Sequence, residues 1–367
     1  MSVIAYAQIQ ATTRALYSQM LSPGVWTTLI QAPDLDAVLG ELSKTVYGAY
    51  LQLDRRLLTP RRIVYQGKRY LADRYTKLMR LAPEAAANLI RLLWRSYEVD
   101  NLKAILRGIE TGATWEQILF LLSPIPAHAA LALADLEMMV QSGAVIRAIE
   151  RLKNTDYYDT LSHALERYQR EQNLFPLEVA LDLAYYRELW QCIQALPPRD
   201  RDYALRTVGV SLMADNLLWA LRYRIYHKLS GEEIINYTLA LNPRITDADI
   251  RAIAGGEQPG EVIARIFPEV ASQVPGDLVA GTQGLRQLEL ILQRYVVKLC
   301  RGVFVGDPFQ IGIPLAYLQL MEHEIRDLTT LIEAKASQLP PSVFTAQLEL
   351  YVPFERQDSV GASRTLE

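Results

Sequence analysis

Cysteine is nearly missing from this 367-residue chain: only Cys192 and Cys300 occur, and neither belongs to a Cys-x-x-Cys pair of the kind that holds metals or shuttles electrons. Histidine is almost as scarce. His128, His163, His227 and His323 show no ligand spacing, and "HEIRD" at 323–327 lacks the second histidine of a zinc protease helix. Excess charge of one sign is also lacking. The formal net charge of −3 argues against a general polyanion binder, which would carry a marked basic excess. No Gly-x-Ser-x-Gly elbow and neither phosphate-binding glycine pattern occurs, so no catalytic, cofactor-binding or metal-binding residues are expected. The opening "MSVIAYAQIQATTR" has no basic start followed by an apolar core, and the expected compartment is the cytoplasm.

One apolar run could pass for a membrane span. Residues 117–134, "QILFLLSPIPAHAALALA", carry no formal charge over eighteen positions, the length needed to cross a bilayer. Ser123, Pro124, Pro126 and His128 lie at the centre, where prolines would break a backbone ladder that lipid cannot repair. The segment therefore reads as two buried helices joined by a Pro turn.

What is present is helical periodicity in almost every segment, while alternating strand patterns are scarce, so the fold class is all-α. Pro23-Gly24, Pro33, Pro60, Pro83, Gly112, Pro124, Pro197-Pro198, Gly231, Pro243, Gly255-Gly256, Pro275-Gly276, Pro308 and Pro340-Pro341 read as helix stops. The last stretch, 353–367, is polar and aperiodic and reads as a loose tail.

Internal repetition organises the rest. "DNLKAILR" from Asp100, Asn101 and Leu102 returns 115 residues later as "DNLLWALR" from Asp215, Asn216 and Leu217, the two runs ending in Arg107 and Arg222. Downstream, "GATWEQILFLLSP" matches "GEEIINYTLALNP", each with Gly and Pro twelve apart around a short amphipathic helix. A third copy in "HEIRDLTTLIEAK" aligns Arg326, Asp327 and Leu328 with the two triplets, and "SQLPPSVFTAQL" follows as a short closing helix. Three related helical units are expected: 1–125, 126–244 and 245–352.

Asn is a poor helix-interior residue, and burying its amide unpaired costs about 1–3 kcal/mol. The expectation is that Asn101, Asn216 and, in the third copy, Asp327 bond backbone groups at an adjacent helix end. The rival reading, a metal or catalytic site of Glu98, Asp100 and Asn101, lacks any accompanying His or Cys. A second feature is the basic cluster in 54–74, "DRRLLTPRRIVYQGKRYLADR", with Arg55, Arg56, Arg61, Arg62, Lys68, Arg69 and Arg74. It reads either as a solvated, salt-bridged face or as a contact surface for an acidic protein partner, with nucleic acid or lipid headgroups behind that.

Three segments carry a family resemblance. "YAQIQATTRALYSQML" (6–21, with Arg14), "WRSYEVDNLKAILRG" (94–108) and "GDPFQIGIPLAYLQLMEHEIRDLTTLIEAK" (306–335) resemble the first helix, the central motif and the C-terminal signature of one family. That family is the central-stalk C subunit of bacterial and archaeal V/A-type rotary ATPases, equivalent to the d subunit of eukaryotic V-ATPases. Asp327 stands where the family has Asn, and "IEAK" replaces a Gly-Lys ending. The resemblance, over about residues 5–350, implies three similar helical domains forming a funnel about a pseudo-threefold axis. It also implies no active site and no cofactor. The partners it implies are the membrane rotor ring of proteolipid subunits and the central shaft, so that torque passes between the ATPase head and the ring during H⁺ or Na⁺ transport on the cytoplasmic face. A free-standing helical repeat scaffold binding protein partners is the alternative reading.

Overall fold

The computed structural model describes residues 3–239, 245–255, 259–274 and 282–351, and every regular element among them is helical. The expected breaks at Pro243, Gly256 and Pro275 and the tail 353–367 lie outside the described residues.

The chain opens with α1 (Val3–Tyr17), α2 (Pro23–Gln31), α3 (Leu35–Leu42), α4 (Pro60–Leu81), the long α5 (Glu84–Glu110) and the short α6 (Trp115–Leu119). Next come α7 (Leu133–Gln141), α8 (Val145–Glu150), α9 (Asp156–Glu171), α10 (Phe175–Ala195) and α11 (Pro198–Ala204). One π turn, Leu205–Gly209, leads into α12 (Val210–Ile225), and α13 (Gly231–Asn236) follows it. The last group is α14 (Asp247–Gly255), α15 (Pro259–Ile266), α16 (Thr282–Val303), α17 (Gly312–Ala336) and α18 (Pro341–Phe344).

Several prolines read as stops turn out to open helices. Pro23, Pro60, Pro198 and Pro341 occupy the first helical turn, where the missing N–H would be unpaired anyway and the fixed φ suits the helix. Ser22 and Thr59 stand just before two of them and accept the backbone N–H groups of Val25 and Arg62 on their hydroxyls. Gly231 likewise begins α13.

The apolar run 117–134 also differs from the expectation of two buried helices. Only its ends are helical, in α6 and α7, and the chain between is irregular. Pro124 and Pro126 remove two donors within three residues and disfavour helical backbone at the residues before them, so a helix cannot continue. Phe120 and Leu121 remain 45% and 52% exposed, too open for a buried helix pair. No helix among the described residues is long and apolar enough to cross a membrane.

The core is one continuous apolar body centred on α17. Leu315, Tyr317, Leu318, Leu320 and Met321 are fully buried on successive faces, as in a helix surrounded by others. Its neighbours are α1, α3, α4, α11 and α16. Polar bonds fasten the first segment of the chain to its middle and last parts. Tyr6 donates to Asp200 Oδ2 (2.9 Å), Gln10 Nε2 to the Gln310 carbonyl (2.5 Å) and Arg14 Nη2 to the Phe304 carbonyl (3.1 Å). Leu21 N–H and Tyr47 O–H meet the two oxygens of Glu324 at 2.9 and 2.7 Å. Lys335 Nζ closes the far end of α2 by donating to the carbonyls of Ile30 and Ala32 at 2.8 and 2.5 Å. Each of these contacts joins residues 194 or more positions apart.

Candidate functional site: three joints around an open hollow

The three triplets sit on α5, α12 and α17, and each of these helices is followed by a short one, α6, α13 and α18 respectively. Asn101 Nδ2 donates to the Ser123 carbonyl (3.0 Å), and Ser123 N–H donates to Asn101 Oδ1 (2.7 Å). Asn216 pairs in the same way with Leu239, at 2.7 Å through Nδ2 and 2.9 Å through Oδ1. Both amides are buried and therefore rely on these protein partners. In each case a carboxamide spans both groups of one residue just past the short helix, tying the chain's return to the long helix.

The third joint has different chemistry. Asp327 Oδ1 accepts the N–H of Glu349 (2.7 Å), and Oδ2 accepts those of Leu350 (2.9 Å) and Tyr351 (3.1 Å). Among the described residues three donors and no carbonyl converge here, so a group that only accepts is the suitable one. Burial nevertheless raises the Asp327 carboxyl to about 6, against the lowering effect of those bonds. The segment it receives is also held from α16: Arg294 donates to the carbonyls of Ala346 and Leu348, and Arg301 to that of Leu350.

The residue before each joint residue turns elsewhere. Asp100, Asp215 and Arg326 all line one open hollow of about 870 Å³. Glu322, Tyr75, Tyr97, Glu349 and Gln293 share its wall. Tyr75 donates to Glu322, whose carboxyl is raised by burial, while Tyr186 donates to Asp215 Oδ2 at 3.3 Å. His323 is lowered to about 4 by burial and the nearby Arg326, so its ring is neutral near pH 7; its Nδ1 lies 2.6 Å from Glu349 Oε2.

Glu98, Asp100 and Asn101 do not form a common site. Glu98 accepts Ala130 N–H and Tyr157 O–H at 3.1 Å each, Asp100 faces the hollow, and Asn101 faces Ser123. Among the described residues no group of three or more His, Cys, Asp or Glu side chains is placed to hold a metal ion.

The basic cluster is likewise divided. Arg61 and Lys68 line the hollow, and Arg62 lies over the Phe120 ring with its guanidinium carbon 5.9 Å from the centroid. Lys68 Nζ donates to Ser123 Oγ (3.3 Å), and burial lowers its pKa. Arg69 bonds Gln66, Arg74 lies over Tyr70, and Arg56 donates its backbone N–H to Asp54. Among the described residues, Arg56, Arg61, Arg62, Lys68 and Arg69 make no ion pair. Elsewhere the repeated arginines are paired across helices: Arg107 with Glu178 of α10 at 2.5 Å, and Arg222 with Glu289 of α16 at 2.7 Å. Lys103 links α5 to Asp182 of α10 at 2.6 Å.

The hollow, the joints and the cross-helix ion pairs define an all-helical protein whose buried polar groups chiefly fix one helix against another. The chain belongs to the ATP synthase (C/AC39) subunit family, whose model matches residues 9–346. It is 23% identical over 345 residues to the C subunit of the A-type ATP synthase of Methanocaldococcus jannaschii, covering 92% of this chain and 84% of that protein. The corresponding A-type ATP synthase protein of Methanococcoides burtonii is 22% identical over 356 residues, 94% of each chain. That of Methanosarcina mazei is 24% identical over 281 residues, 76% of this chain and 75% of its own. The chain is thus a component of the rotary ATPase class.

Proposed function

We propose that this chain is the non-catalytic central-stalk adaptor of a V/A-type rotary ATPase or ATP synthase. In this reading three related units, 1–125, 126–244 and 245–352, stand about a pseudo-threefold axis as a funnel. The hollow receives the tip of the central shaft and another face rests on the membrane rotor ring, so that torque passes between the ATPase head and an H⁺- or Na⁺-carrying ring. The chain sits on the cytoplasmic side through protein contacts alone, with no cofactor.

The observation that carries the reading is the convergence of Asp100, Asp215 and Arg326 on one hollow. They hold the same position in the three repeats, and a site reached equivalently from three repeats is suited to holding something at its centre. The joints and the ion pairs Arg107–Glu178 and Arg222–Glu289 supply the stiffness a torque-bearing part needs. A charged wall also makes the contact sensitive to salt.

The test is capture of purified shaft and ring proteins of the same complex by the full chain. Both are expected to bind at low ionic strength and to be released as salt rises. Binding of neither at low salt ends the proposal.

A further inference from the structure

The three walls of the hollow are unequal. In the first two repeats the arginine six positions beyond the joint residue is neutralised inside the molecule, Arg107 by Glu178 and Arg222 by Glu289. In the third repeat that position is Glu333, on the wall of the hollow, and the adjoining helix α4 brings Arg61 and Lys68 to the same wall. Among the described residues neither Arg61 nor Arg62 has a carboxylate partner. Beside them lie Phe120 and Leu121, 45% and 52% exposed although both are large and apolar. Arg62 lies over the Phe120 ring, so the basic and apolar groups form one patch. Exposed aromatic and aliphatic side chains flanked by unpaired guanidinium groups are what a partner's apolar side chains and carboxylates would cover.

We propose that the part of the hollow's wall formed by Arg61, Val64, Phe120 and Leu121, with Arg62 beside it over Phe120, is the docking surface for a segment of the shaft bearing apolar side chains edged by Asp or Glu. This rests on the hollow being the shaft's socket, and it assigns the first grip of that socket to one wall of the three. Lys68, bonded to Ser123 at the first joint, places the contact directly over the connection between α5 and the chain beyond α6. A segment held there is anchored to a backbone position that Asn101 already fixes.

The experiment uses the full chain and the purified shaft proteins, with binding to the ring proteins measured in parallel. Phe120→Ser with Leu121→Ser, and separately Arg61→Glu with Arg62→Glu, are compared with the wild type, folding being checked by melting temperature. All four positions are exposed or half-buried, so the folded state is retained. Each pair is expected to weaken shaft binding about tenfold or more, leaving ring binding unchanged; the charge-reversed pair is also expected to flatten the salt dependence. If the wild type binds the shaft and both variants bind it equally well, this wall is not the docking surface, while the socket reading stands. Failure of the wild type to bind the shaft overturns both.

Discussion

Replacing Asn101 by Asp puts an oxygen where the amide nitrogen stood and removes one hydrogen-bond donor. The amide donates to the Ser123 carbonyl and accepts the Ser123 N–H. An ionised carboxylate accepts the second bond as before, but sets a negative oxygen against the carbonyl at the first. The carbonyl loses its donor in a buried site, at a cost of about 1–3 kcal/mol, and retaining charge there adds a comparable burden. A protonated carboxyl, by contrast, reproduces the amide's pattern of one donor and one acceptor. The variant's acid therefore has a raised pKa in the folded state, and the native state binds the extra proton more tightly than the unfolded chain. Its stability deficit is then smallest in acid and grows as pH rises through the raised pKa. A deficit of about 2–5 kcal/mol near pH 8 corresponds to roughly 3–6 °C in melting temperature for a chain of this size. Thermal melts of wild type and variant across pH 4.5–8.5, read as the difference at each pH, provide the assay. A difference below about 1 °C throughout, or one independent of pH, would refute the account of the joint.

Two further outcomes follow from the bonds between the first and last segments. Burial raises Glu324 to about 7 from an ordinary 4.5, so its contribution to stability is present in acid and is lost as pH rises between those values, by about 3 kcal/mol in all. Glu324→Gln, which can still accept Leu21 N–H, is expected to remove that part of the pH slope in thermal melts; an unchanged slope would place the titration elsewhere. Lys335→Met leaves the buried carbonyls of Ile30 and Ala32 without their donor and is expected to cost about 1–3 kcal/mol in denaturant unfolding, with the wild-type midpoint as the opposing result.

The joints were legible in the sequence because their parts are close together and recur. Ser123 lies 22 positions after Asn101, Leu239 lies 23 after Asn216, and the bonds to Asp327 come from 22 to 24 positions on. Even the Asp in the third copy has a local cause, since among the described residues only N–H donors reach it. Glu324, Glu322 and Lys335 were not legible, because their partners lie 247 to 305 positions away and no periodicity reports on such distances. The basic cluster was visible as composition, but its division between hollow, ring-stacking and solvent depends on how α4 is rotated against its neighbours. The apolar run at 117–134 misled for a related reason. Absence of charge suggested burial, whereas two prolines held its middle open and left Phe120 and Leu121 at the surface.

The bonding of α1 to the last third of the chain has a consequence for biosynthesis. The position that Gln10 needs, the Gln310 carbonyl, is made 300 residues after it. At the usual 5–20 residues per second, the first helix waits about 15–60 s on the ribosome before its partner exists. During that interval the part of its buried face that α17 covers lacks that partner, although α4, a second neighbour, has already been made. A helix of this length is marginal alone, so it has to be sheltered or reformed when α17 arrives. Loss of the region beyond α16 would accordingly deprive the beginning of the chain, as well as the end, of a packing partner.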